Sequence, residues 1–154
     1  MKPFIILIAA VIVSAVACNK DKITTIPQLN LKSISPGTVF TNDVISIKGE
    51  YSDQEGDLDS VLVLYKFFNG TTAVFPFSDT FRYSVKSFDI PVNTKEAEIT
   101  IQYQYNNLDP ANGYPAKLPG LAKDTTAAFG IIIKDAEGNR SEYKETEQIR
   151  IKKS

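Results

Sequence analysis

Residues 96–105, EAEITIQYQY, alternate between apolar and polar. Ile99, Ile101, Tyr103 and Tyr105 fall on one side; Thr100, Gln102 and Gln104 fall on the other. A repeat of two is the signature of a strand, whose successive side chains leave on opposite faces. A helix cannot bury such a set, because its apolar stripe needs steps of three and four. TAAFGIIIKD repeats the pattern with Ala127, Phe129, Ile131 and Ile133, and VISIKGEY puts Ile45, Ile47 and Tyr51 on one face. QLNLKSI has Leu29 and Leu31 in phase and Ile34 one step out. SVLVLYKFF is apolar on both faces, as expected of a central strand covered on both sides or of one whose outer face meets a partner. AVFPF reads as a short edge strand, since Pro76 has no N–H for a central ladder. FRYSVKSFDIPV reads as a further strand with a kink, and EYKETEQIRI as a return strand after the turn AEGN, where Gly138 supplies a positive φ. No window beyond the N-terminal segment has a helical period. Seven or eight strands separated by turn residues predict an all-β fold: one antiparallel β-sandwich over 28–154.

The N-terminal segment is set apart from that domain. Lys2 precedes a nearly unbroken apolar run over 4–13, and SAVAC follows. So short a run, ending in small residues, is the pattern of a secretory signal peptide over 1–17; a spanning helix needs about 20 apolar residues. The small residues lead to Cys18, the one cysteine in the chain. AVAC resembles the lipobox of bacterial lipoproteins, which implies lipidation of Cys18 and a mature chain that begins there. Several acyl chains hold a protein at a membrane where one is marginal, at roughly 0.8 kcal/mol per buried CH₂. NKDKITTIP, with Cys18, forms a polar tether over 18–27. CNKDK also resembles the start of many Bacteroidota lipoproteins, which implies the outer membrane, with a lean toward its outer face.

Composition removes several chemistries. The chain has no histidine. That excludes Ser-His-Asp and Cys-His catalysis and every His-ligated zinc, iron or copper site. With 17 basic and 18 acidic residues there is no basic excess, so nucleic acid is not an expected partner. A single cysteine leaves no disulfide within the domain, whose core must suffice. Oxygen-ligated calcium and two-carboxylate glycosidase chemistry remain open.

Two loops carry a second resemblance. YSDQEGDLDSVLVLYKF, followed much later by FGIIIKDAEGNRSEYKETEQIRI, is similar to immunoglobulin-like domains of Bacteroidota lipoproteins, including PKD-type and cadherin-like modules. The likeness spans 28–152 in pattern, but only these two loops in letters. It implies an immunoglobulin-like sandwich with both loops at one pole, and it specifies a fold far better than a function.

The first loop, DQEGDLD, carries four carboxylates in seven residues, Asp53, Glu55, Asp57 and Asp59 around Gly56. With Asp135 from the last hairpin they form a candidate calcium set. The spacing is not that of an EF-hand, and Lys134 and Arg140 arrive on the same hairpin to neutralise acids. A polar turn satisfies the same residues, since Asp bonds its own backbone and Gly56 takes a positive φ. The stretch 106–123 is long for a connection in a compact sandwich. Tyr114, Leu118 and Leu121 are its candidates for tacking the loop to the sheet or contacting a partner, at the pole away from the tether. Aromatic residues crowd 65–88 and are expected mainly in the core; an exposed pair would suit a sugar, although the chain lacks Trp. The expected role is a lipid-anchored, non-catalytic binding or structural protein of the cell envelope, meeting an envelope protein or a glycan. A calcium-stabilised adhesion or glycan-binding module is the alternative, and a small hydrolase a distant third.

Overall fold

A computed structural model describes residues 24–75, 80–84, 88–107 and 116–154. Among them are eleven strands: β1 (Gln28–Ser35), β2 (Thr38–Val39), β3 (Val44–Ser52), β4 (Leu58–Asn69), β5 (Thr72–Phe75), β6 (Thr80–Ser84), β7 (Glu96–Tyr105), β8 (Ala116–Leu118), β9 (Thr125–Asp135), β10 (Lys144–Glu145) and β11 (Ile149–Ile151). One sheet runs β1-β3-β7-β8 and the other β2-β11-β9-β4-β5; β6 also pairs with β4, and β10 with β9. The strand order, with the first strand shared between sheets, is that of an immunoglobulin-like sandwich.

The alternating runs lie where their pattern requires. Ile45, Ile47 and Tyr51 of β3, Ile99, Ile101, Tyr103 and Tyr105 of β7, and Phe129, Ile131 and Ile133 of β9 are all buried between the sheets. The step between Leu31 and Ile34 is a β-bulge, where the β1–β3 register shifts between Leu31 and Ser33. Val61, Val63, Tyr65 and Phe67 of β4 fill the same core, and β4 is central, between β9 and the β5/β6 edge. Of the crowded aromatics, Phe68 is buried on the outer face and Phe88 packs partly against the core; Phe77 lies outside the described residues.

Four details depart from the expectation. Strand β1 ends at a cis Ser35–Pro36 peptide, after which β2 crosses to the second sheet and runs parallel to β11. The return strand is broken into β10 and β11: the Thr146 hydroxyl accepts from the Phe129 amide at 3.0 Å, and a side chain takes a ladder position. Gln104, expected to face solvent, is 4% exposed. β8 pairs alongside it, and its Nε2 donates to the Asn42 carbonyl at 3.2 Å. The long loop itself holds β8, added parallel to β7 as an edge strand.

The ladder sets two poles. Ser52, Glu96, Leu58 and Asp135 end at one pole, which also receives the incoming chain: Gln54 N–H donates to the Thr24 carbonyl at 3.0 Å. Tyr105, Phe68, Thr125 and the residues after β11 lie at the far pole.

Candidate functional site

The acidic loop joins β3 to β4, and the final hairpin joins β9 to β10. β4 and β9 are antiparallel neighbours, with Leu58 opposite Asp135, so the two loops meet. Ala136 N–H donates to the Asp57 carbonyl at 3.0 Å and closes the junction. Gly56 has φ +69°, and a Cβ there would stand 2.7 Å from the Asn93 carbonyl carbon. Glycine is therefore required both by its backbone angle and by close approach.

The acids divide into three kinds. Asp53 is fully buried. Its Oδ2 accepts from Gly56 N–H at 3.0 Å, from Asp57 N–H at 3.4 Å and from the Tyr51 hydroxyl at 3.4 Å. Asp135 is 1% exposed, and its carboxylate accepts from Asn139 N–H at 2.7 Å and Asn139 Nδ2 at 2.8 Å, which caps the hairpin turn. Asp59 accepts from the Ser60 hydroxyl at 2.9 Å and lies 3.9 Å from Lys134 Nζ, while Glu55 is exposed. Asp57 remains, half-buried, within hydrogen-bond reach of the Asp53 carboxylate.

Asp53 Oδ1 and Asp57 Oδ1 are both buried without a hydrogen-bond partner. Two carboxylates in contact cannot both keep a full charge at low cost. Burial, the hydrogen bond with Asp53 and the charges of Asp135 and Asp53 accordingly push the Asp57 carboxyl above its ordinary range. Burial and the Asp53 charge likewise push the Tyr51 phenol up. A proton on Asp57 would relieve the repulsion between the two carboxylates. Among the described residues, no group of three or more acidic side chains is arranged to hold a metal ion. The Asp53–Asp57 pair is where carboxylate oxygens remain to bind a cation, with Asp135 already committed to Asn139.

The sequence reading missed Tyr51 as a donor to Asp53, and Asn139 as the residue that occupies Asp135. The second has a legible signal: an Asp followed four residues later by Asn, with Gly between, is the spacing of an Asp-capped turn. At the far pole Leu118 is 1% exposed within the core and Leu121 is partly buried against it. Both tack the long loop down, and Asn106 N–H donates to the Leu118 carbonyl at 2.9 Å. Tyr114 and Cys18 lie outside the described residues.

No family model matches this chain. No curated protein matches it. Among solved structures it is similar to the sporulation control protein Spo0M of Bacillus subtilis, with 7% identity, TM-score 0.46 and coverage of 84% of this chain. The chain spans 50% of that protein's length. It is also similar to a Niemann-Pick type C2 protein from Japanese carpenter ant, with 12% identity, TM-score 0.42 and coverage of 82% of this chain and 93% of that one. A cohesin module from a Clostridium perfringens family 33 glycoside hydrolase has 9% identity, TM-score 0.36 and coverage of 84% and 99%. All three TM-scores are below 0.5.

Proposed function

We propose that this chain is a lipid-anchored protein of the outer membrane whose sandwich serves a non-catalytic binding or structural role. The geometry of Asp53 and Asp57 carries the non-catalytic part. Glycosidase carboxyls stand roughly 5–9.5 Å apart across a substrate. Here the Asp53 carboxylate is folded back onto the Asp57 backbone N–H at 3.4 Å, and Asp53 is sealed from solvent. The anchored part rests on the apolar run, the small residues and the single Cys18. Entry of the chain beside the acidic loop supports an orientation with the far pole directed away from the membrane. Among the described residues no helix is long and apolar enough to cross a membrane. Detergent-phase partition of the full chain and of Cys18→Ser tests the anchor. The wild type is expected in the detergent phase and the variant in the aqueous phase; equal partition would remove the anchor from the reading.

The two orphan oxygens favour a second reading, in which calcium stabilises the acidic pole of an adhesion or glycan-binding module. Asp53 and Asp57 would supply the carboxylates, with carbonyls and water completing the six to eight oxygens that calcium takes. Melting in millimolar calcium and in EDTA tests this. A ligand at 100 times its Kd stabilises by about 2.7 kcal/mol. Identical melting curves would set calcium aside.

A further inference from the structure

At the far pole an open groove of about 420 Å³ lies over the second sheet, and its lining includes Phe68, Asn69, Lys123, Thr126, Arg150 and Lys152. The ladder fixes its floor: Arg150 of β11 is opposite Thr126 of β9, which is opposite Phe68 of β4. All three alternate with core residues, so the row faces outward. Asp124 is the one acid in the lining, and both its oxygens are taken, by Lys152 Nζ at 2.6 Å and by Lys153 N–H at 3.0 Å. Among the described residues, no carboxylate pairs with Lys123 or Arg150. Among the described residues the groove thus holds two cations without a carboxylate partner, in a chain whose net charge is −1.

We propose that this groove binds a carboxylate-bearing glycan, with the Arg150 guanidinium and the Lys123 ammonium receiving a uronate carboxylate. A guanidinium presents paired N–H donors in a plane that matches a carboxylate. The exposed amide of Asn69 and the half-buried Thr126 lie in the same lining, and the Thr126 hydroxyl donates to Gln148 Oε1 at 3.3 Å. Such groups suit sugar hydroxyls. A peptide is the poorer fit, because extended peptides bind by adding to a free strand edge. The groove runs across strands β4, β9 and β11, each already paired on both sides.

This inference rests on the non-catalytic binding reading, but its test is separate from the anchor. The full chain in detergent is titrated with trigalacturonate, with the methyl ester of the same trimer and with inorganic phosphate, followed by calorimetry at low and physiological salt. The acid trimer is expected to bind and weaken as salt rises, with the ester at least about tenfold weaker. Arg150→Gln and Lys123→Gln are each expected to weaken the acid trimer about tenfold, with unchanged melting temperatures, because both side chains are solvent-exposed. No binding of the acid trimer, equal binding of the ester, equal binding of phosphate or full binding by both variants would each overturn the proposal. Loss of the trimer with the partition of Cys18→Ser unchanged would leave the anchored, non-catalytic reading standing.

Discussion

Tyr105→Phe isolates one hydroxyl that ties three segments together. Tyr105 is fully buried in β7, and its hydroxyl donates to the Lys152 carbonyl at 2.7 Å while accepting from Leu121 N–H at 3.1 Å. The ring therefore holds the end of the long loop and the chain beyond β11 at one point. Phenylalanine keeps the packing and removes both bonds. A carbonyl and an amide are then left in partly buried positions, each costing about 1–3 kcal/mol if nothing replaces the partner. Water reaches both sites in part, which places the expected loss near the lower end, at about 2 kcal/mol in total. For a domain of this size that lowers Tm by roughly 6–10 °C. Urea melts give the free energy, and hydrogen exchange at Leu121 reports the local event, since its amide should exchange faster than the core amides of β7 and β9. A loss under about 0.5 kcal/mol with Leu121 exchange unchanged would refute the assignment, showing the hydroxyl to be incidental.

Asp57→Asn tests the carboxylate pair through its pH dependence. A carboxyl whose folded pKa is raised stabilises the fold most below its unfolded value, about pH 4, and that contribution is lost as pH rises through the folded value. The wild type should therefore lose stability relative to Asp57→Asn between pH 4 and neutrality, and parallel urea-melt profiles would contradict the upward shift of the Asp57 carboxyl. Gly130→Ala places a methyl group against Cε2 of Tyr143, whose hydroxyl donates to Glu145 at 2.6 Å. A cost of about 1–2 kcal/mol is expected, largely recovered when Tyr143→Ala is added, and a neutral single variant would mean that the ring moves freely. Gly56→Ala meets both a positive φ and backbone at 2.7 Å, and should cost about 2 kcal/mol or more in the same assay; no change in the urea midpoint would exclude a tight turn there.

What could be read from the chain was which face each residue takes. Ile99, Ile101, Tyr103 and Tyr105 were legible because alternation is a local property of a strand. Cover on the outer face was not, because it depends on a neighbour supplied from elsewhere. Gln104 is buried by β8 and the 40–43 turn, and Gly130 by Tyr143; no pattern within β7 or β9 announces either. The break at Thr146 was hidden for a related reason: its hydroxyl stands in for a backbone acceptor, and side-chain periodicity does not record such an exchange. The acidic pole shows both sides. Its loops were placed together by topology, and Leu58 does stand opposite Asp135. Yet Asn139 takes up Asp135, and Lys134 and Ser60 hold Asp59. A count of nearby carboxylates in the sequence cannot tell a committed acid from a free one.

The parallel pairing of β2 with β11 also decides how the domain bears load. The chain enters at one pole and Ser154 leaves at the other, where its N–H donates to the Leu121 carbonyl at 3.0 Å. A pull between Thr24 and Ser154 runs along the strands, driving β2 and β11 in opposite directions. Their bonds, Arg150 N–H to the Gly37 carbonyl and Lys152 N–H to the Val39 carbonyl, both 2.9 Å, then resist together and do not unzip in turn. The β1–β3 ladder is sheared in the same sense. Tension between the two poles is therefore met in shear by both sheets at once, making the sandwich stiffest along the line that joins its ends.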